Sequence, residues 1–404
     1  MPKRNDDFFK AKKPWSETKD ALLGCYLKPY FEKIKTLKTP ICYIDGFAGK
    51  GKFDDGKDGS PRIALQVISE SIEGFNTFQK PIVNFYFVDL NYEDELRKNI
   101  QDYSAFRSHV LGDKFENVID KILANSRNMC VFIYIDPYGI KALDCAKFAS
   151  FATSRNFRNV ELLINFNSYG FLREACRIRN VVVKDEKVKK IVDALEEYDS
   201  SPVKSIDDMS RIIGSSNWIN IIDDYAISGN TFETEIKLGD LFCENLRKGY
   251  KYVLNMPIRS RDEVGTKYRL IHCCNHQDGF KLMVNNMCKR SEELRNKRRH
   301  GQLSLLDFDV NDKAVTEEEL INNLFSCIGT EEKQLFDVYF EFFNKVGIPC
   351  GTSKLVNLLK EAEKNGIIAV RREPELTPKG KKSTFWEEKY GKDRQSVFVR
   401  KIIK

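Results

Sequence analysis

These 404 residues contain no C-x-x-C pair, although eleven cysteines are present. Zinc-ribbon spacing and a redox dithiol motif are therefore not offered. Most of the cysteines, Cys42 and Cys130 among them, stand in apolar, strand-like runs and read as small buried hydrophobes. No apolar run reaches the ~18 residues of a membrane span, so no membrane partner is expected. Residues 1–13 are polar and charged and lack the apolar core of an export signal, which leads to the expectation of a cytoplasmic protein. A strong charge excess is missing too. The formal charge is +7, too mild in a chain of this length to argue for nucleic acid by itself. What remains is an ordinary globular profile, 42% hydrophobic and 31% charged, long enough for two or three domains.

The most informative stretch is Ile41-Cys42-Tyr43-Ile44-Asp45-Gly46-Phe47-Ala48-Gly49-Lys50-Gly51. An apolar run ends in an acid and a glycine-rich turn, the way a buried parallel strand feeds a tight loop. Gly46, Gly49 and Gly51 let backbone approach a ligand closely, because no Cβ stands in the way. The pattern is the D-x-F-x-G-x-G loop of S-adenosylmethionine (SAM) methyltransferases that act on nucleic acid. In that reading Asp45 bonds the methionine end of the cofactor and Phe47 packs beside it. Gly46-x-x-x-x-Gly51-Lys52 also nearly spells a P-loop. However, Phe53 stands where a magnesium-holding Ser or Thr belongs, and Asp45 would repel a triphosphate. A purely structural glycine turn is the third possibility.

Around this stretch the chain reads as alternating strands and helices. Residues 1–14 are charged and read as loose. Helix is expected over 15–35 with Ser16 as its cap, and Lys19 either reaches a cofactor carboxylate or lies solvated on the helix face. Residues 52–59 read as an exposed loop, a candidate lid, before a helix started by Ser60 as cap and Pro61 in the first turn. A second buried strand ends in Asp89, where an acid commonly takes both ribose hydroxyls. Asp89 lies 44 residues past Asp45, against about 20 in the dinucleotide fingerprint. Asp113 leaves a third strand, placed either to bond the adenine amino group or to cap the next helix.

Cys130-Val131-Phe132-Ile133-Tyr134-Ile135-Asp136-Pro137-Tyr138 is a central strand that delivers a second chemical corner. Amino-methyltransferases need an acceptor for the amine N–H and an aromatic to stack on the base. Asp136 and Tyr138 supply them, and Pro137 fixes the turn. The usual form is Asp-Pro-Pro-Tyr, and here one proline is missing. A strand simply ending in a proline turn is the alternative. Asn165, Asn167 and Ser168 follow at the same sheet edge, to bond substrate or to satisfy buried backbone. Residues 171–239 are helical and charged, with Arg173, Arg177, Arg179, Lys184, Lys187, Lys189 and Lys190 offered either to phosphates or to water. A helix at 240–248 and two β runs, 250–257 and 267–274, complete the sheet with an antiparallel pair. His272, Cys274 and His276 share a strand face but lack a fourth ligand, so no metal is expected.

The tail reads as three helices, 317–326, 331–346 and 353–365, and a hairpin, 366–370 with 397–402, which is a winged-helix arrangement. Thr352 or Ser353 would cap the third helix. Residues 371–404 carry eleven Lys or Arg against five acids, with Phe385, Trp386 and Tyr390 interleaved. That mixture suits nucleic-acid contacts, and winged helices also dock proteins.

With these pieces in place, the sequence resembles the three-Cys-motif partner (TcmP) family. The matching residues are Lys19, Leu22 and Tyr26, then Tyr43-Ile44-Asp45-Gly46-Phe47-Ala48-Gly49 and Gly59-Ser60-Pro61. They continue through Phe87-Val88-Asp89, Gly112-Asp113, Ile135-Asp136-Pro137-Tyr138-Gly139 and Leu163-Ile164-Asn165-Phe166. The Asp-Pro-aromatic-Gly form belongs to that family's pattern. The resemblance implies a Rossmann-type methyltransferase fold and a neighbouring radical-SAM-like protein with a three-cysteine motif as partner. The expected architecture is a Rossmann-like SAM-binding domain over 1–300 with a helical insertion at about 171–239, a linker at 301–315 and a winged-helix-like domain at 316–404. The expected activity is SAM-dependent methylation of an amine on a nucleic-acid base, with a non-catalytic SAM- or nucleotide-binding partner module as alternative and a Lys52-dependent nucleotide hydrolase as a third reading.

Overall fold

The computed structural model describes residues 6–12, 14–73, 80–154, 156–183, 202–259, 266–299, 315–388 and 395–402. The chain divides into two units, one of Met1–Met283 with Arg290–Asp309 and one of Val284–Lys289 with Val310–Lys404.

The first unit opens with a short turn, α1 (Asp6–Phe9), and a long helix, α2 (Pro14–Ile34). The alternation that follows is β1 (Ile41–Asp45), α3 (Ser60–Ile72), β2 (Val83–Val88), α4 (Glu93–Asn99), β3 (Arg107–Leu111), α5 (Phe115–Asn125), β4 (Cys130–Ile135), α6 (Cys145–Thr153), β5 (Asn159–Phe166) and α7 (Ser168–Ile178). Helices Ile206–Ile213, Trp218–Ser228 and Thr231–Leu246 lead to β6 (Tyr252–Arg259) and β7 (Thr266–Cys274). The seven strands lie in the order β3-β2-β1-β4-β5-β7-β6. Strands β1 to β5 pair in parallel, and β7 runs antiparallel to both β5 and β6. A parallel sheet whose reversed β7 is inserted beside β5 is the Rossmann-like methyltransferase sheet.

Burial explains the central strands. Every residue of β1 and of β4 is buried, as expected of a parallel sheet covered on both faces. On one face Tyr43 lies opposite Phe132 in register, with their rings stacked at 5.9 Å, and Tyr26 and Tyr30 of α2 cover Phe132. On the other face Cys42, Ile44, Val131, Ile133, Leu162 and Ile164 join one cluster with residues of α5, α6 and α7. All eleven cysteines are unbridged thiols, and only Cys25 and Cys350 are not buried.

Two buried polar groups tie helices to the reversed strand. Glu235 takes both Nε and Nη2 of Arg269 at 2.6 Å and receives Ser168 Oγ at 2.5 Å. Tyr26 donates to Glu161 Oε2 at 2.6 Å, and His272 Nε2 lies 3.0 Å from the phenol and 3.2 Å from the carboxylate. His272 is thus committed to a structural cluster.

Several boundaries differ from the sequence reading. Helix α2 begins at Pro14, so Ser16 lies inside it and not at its cap. Gly59 is the cap of α3 and Ser60 its first residue; the serine hydroxyl is used elsewhere, as described below. The helix expected over 240–248 runs over Thr231–Leu246, capped by Asn230, whose side chain accepts from Glu233 N. Lys184, Lys187, Lys189 and Lys190 lie outside the described residues, while Arg177 and Arg179 pair with Glu174 and Asp223.

In the second unit, helices Glu317–Ser326, Leu335–Val346 and Thr352–Lys364 accompany β8 (Lys333–Gln334), β9 (Ile368–Glu373) and β10 (Ser396–Lys401), in sheet order β8-β10-β9. Thr316 and Glu319 form a reciprocal capping box. Gly351, not Thr352 or Ser353, caps the third helix, and Thr352 instead bonds Asn285. Arg371 and Arg372 pair with Glu332 and Glu363, and Trp386 is buried against Arg372. Tyr390 lies outside the described residues.

Candidate active site

The chemistry-bearing corners sit where β1, β4 and β5 end. After Asp45 the chain is held by neighbouring strands: Gly46 N donates to Tyr134 O and Ala48 N to Val88 O, each at 2.9 Å. Gly49 and Gly51 have φ of 58° and 73°, a region that side chains rarely adopt. A methyl group at Gly49 would lie 2.9 Å from Phe9 Cζ and 3.6 Å from Tyr138 Oη. Gly59 N closes the loop on Gly51 O at 2.9 Å.

Two acids shape this loop from behind. Asp45 is fully buried and accepts Phe47 N at 3.1 Å and Ser60 Oγ at 2.6 Å. Burial pushes its pKa from 3.8 to about 7, against those two hydrogen bonds, and the carboxylates of Asp136 and Asp20 add to the rise. Asp89 accepts Gly49 N and Asn91 N at 2.9 Å and Tyr92 N at 3.1 Å. Burial raises its pKa and the three amides oppose the rise. Asp113 turns to Lys114 N and to Asn117 Nδ2, which hold its pKa down.

At the end of β4, Asp136 is surrounded by donors. Lys19 Nζ reaches its two oxygens at 2.7 and 2.6 Å, Asn165 Nδ2 donates at 2.6 Å, and Tyr134 Oη at 3.1 Å. Lys19 does not lie solvated on the helix face: its side chain is 15% exposed and paired with Asp136.

A single cavity connects these corners. Phe47, Ala48, Gly49, Gly51, Gly59 and Ser60 line it from the loop side. Asp136, Pro137, Tyr138, Asn165, Asn167 and Tyr268 line it from the other side, together with Lys19, Asp20 and Arg173. Tyr268 comes to this edge because β7 runs backwards, placing its first residues beside the last residues of β5. Asp45, Gly46, Asp89 and Asp113 do not line the cavity; the first three support its floor, and Asp113 faces its own helix.

The N-terminal segment contributes residues that the sequence reading missed. Phe9 is 3% exposed and packs on Phe53 and Tyr92, while Phe8 meets Tyr138 edge-on at 5.5 Å. Both phenylalanines line the cavity. Phe9 O accepts Asp54 N at 2.8 Å, Lys12 N donates to Asp55 at 3.0 Å, and Lys12 Nζ pairs with buried Asp20 at 2.5 Å. The residue 52–58 loop is thereby pinned by the strap of residues 6–12. The only sequence signal was a pair of adjacent phenylalanines in a charged stretch.

No family model matches this sequence, and no curated protein matches it. Among solved structures, the plantazolicin methyltransferase BamL, in complex with a triazolic desmethylPZN analog and SAH, aligns with a TM-score of 0.26 and 10% identity, over 67% of this chain and 94% of that one. PKMT2 from Rickettsia typhi aligns with a TM-score of 0.28 and 12% identity, over 84% of this chain and 73% of that one. Scores this low say nothing of this chain's activity.

Proposed function

We propose that this chain is a SAM-dependent methyltransferase acting on an amine of a nucleic-acid base. The observation that carries the reading is that the glycine loop and the Asp136-Pro137-Tyr138 corner line one cavity. What supports the cofactor is position: Gly49, Gly51 and Gly59 line the cavity at the sheet's carboxyl edge, where nucleotides bind, although all three are buried and Phe9 packs against Gly49. When bound, SAM would supply an electrophilic methyl to an acceptor nitrogen's lone pair, with the thioether as leaving group.

Gly46, Phe47, Gly49 and Gly51 would shape the cofactor seat, supported by Asp45. In this reading Asp89 serves the ribose side from beneath the loop, through Gly49 N, and Asp113 would have to turn from Lys114 N and Asn117 to reach the adenine. Asp136 and its neighbours would fix the acceptor amine while Tyr138 offers a ring face to the base. Alignment is the main contribution such a site makes to an in-line displacement. The proton leaves the amine after transfer, so no strong base is required.

A second reading is favoured by one observation: Lys19 already occupies both oxygens of Asp136. In a non-catalytic module, SAM would be a sensed ligand and a three-Cys-motif protein the partner. Tritiated methyl transfer from SAM to total RNA, DNA or cell extract separates the two. Asp136→Ala is expected to abolish transfer while leaving SAH affinity within about threefold; full transfer in that variant removes Asp136 from the mechanism.

A further inference from the structure

We propose that Asn165 accepts the N–H of the methyl-receiving group, and that this group is a neutral exocyclic amine of a nucleobase and not an ammonium. The inference rests on the methyltransferase reading above and names the contact that selects its substrate.

Asn165 is 8% exposed and lines the cavity. Its Nδ2 donates to Asp136 at 2.6 Å. Asp136 is a lysine-paired carboxylate and can only accept, so the amide must present its NH2 to it. That fixes the flip of the amide and turns Oδ1 the other way. Asn165 Oδ1 is buried and has no hydrogen-bond partner among the described residues. A buried carbonyl left without a donor is costly; Oδ1 is sealed from solvent, so a ligand N–H would relieve that cost once the cavity wall shifts to admit it. The other asparagine of the lining does not compete, because Asn167 Oδ1 accepts Gly170 N at 2.8 Å as the cap of α7.

Charge decides between amine and ammonium. The carboxylates lining the cavity are Asp136 and Asp20, and each has its own lysine, Lys19 and Lys12. Arg173 also lines the wall, paired with Glu174 at 3.2 Å. At the Asn165 edge an arriving ammonium would find an amide carbonyl but no uncommitted carboxylate; Asp45, the acid assigned to the cofactor's amino end, lies beneath the glycine loop. A neutral planar amine needs only the carbonyl and an aromatic surface, which Tyr138 provides at 40% exposure. Asp136 then acts as a positioning residue that orients Asn165.

The test uses the full chain loaded with SAH and single-stranded DNA and RNA oligonucleotides in matched pairs. One member carries adenine or cytosine, and the other its N,N-dimethylated form, which lacks the N–H. A lysine-containing peptide is the cationic control. Titration calorimetry of SAH reports whether the cofactor reading holds, independently of the oligonucleotides. Wild type is expected to bind the unmodified member about 10-fold or more tighter than the dimethyl member, with the DNA and RNA arms identifying the source of the base. Asn165→Ala, and the shape-filling Asn165→Leu, are expected to bind SAH within about threefold of wild type and to lose that preference. The proposal is overturned if either variant discriminates as wild type does, if wild type shows no preference, or if the peptide binds better than the oligonucleotides. Absence of SAH binding to wild type would sink the cofactor reading and this inference with it.

Discussion

Asp45 carries the largest electrostatic tension of the loop. Its pKa in the fold, about 7, lies above the 3.8 of an unstructured chain. The protonated form therefore favours folding: the contribution is fully present below the unfolded value and is lost as pH rises through about 7. Asp45→Asn is expected to flatten the decline in melting temperature between about pH 4 and pH 7; equal slopes in the two proteins would contradict the assigned burial. Asp20 and Asp89 shift the same way, so the difference between wild type and variant is the quantity to read. An ammonium-bearing ligand such as SAH would draw Asp45 back toward its ionised form. Near neutral pH, binding should release protons, seen as a dependence of the calorimetric enthalpy on buffer ionisation heat. No buffer dependence would place the amino end of the ligand far from Asp45.

At the scale of elements, the strap of residues 6–12 is held by a few hydrogen bonds and by Phe9. Truncating a buried ring in a large core costs about 3–5 kcal/mol, but a short terminal segment is able to detach alone. Phe9→Ala is therefore expected to leave the melting temperature within a few degrees while hydrogen exchange at the Asp54 amide quickens at least tenfold. Unchanged protection at Asp54 would show that the loop keeps its place without the ring. The cluster of Tyr26, Glu161 and His272 behaves differently, because it joins α2 to β5 and β7 inside the core. Tyr26→Phe deprives Glu161 of its shortest hydrogen bond and should cost about 1–3 kcal/mol in denaturant unfolding. A smaller effect would mean that His272 takes over the donation.

Over the whole molecule, what the sequence disclosed was local. β1 and β4 were legible because continuous apolar runs ending in an acid and a glycine or proline have few alternatives. The loop glycines were legible because a buried apolar run that ends in an acid and closely spaced glycines must turn sharply, and Gly49 and Gly51 do adopt positive φ. Pairings across the chain carried no such mark. Lys19 meets Asp136 across 117 positions and Glu235 meets Arg269 across 34, and each residue alone reads as a solvated charge. Ser60 was legible as a helix starter, yet its hydroxyl serves Asp45, a partner only the folded sheet brings near. Phe8 and Phe9 escaped for the same reason: the surface they cover exists only after β1, β2 and β4 have assembled. In the tail, the excess of basic residues was visible, but not the acids that engage Arg371 and Arg372.

The distribution of thiols turns the protein into its own counter of conformational opening. Nine of the eleven cysteines are buried, and they fall in both units, with Cys288 and Cys327 in the second and the other seven in the first. A maleimide pulse should tag at most Cys25 and Cys350 in the native state, and peptide mapping of later tags would report which unit yields first under heat or denaturant. No engineered label is needed, and the order of appearance can be followed in crude lysate by mass.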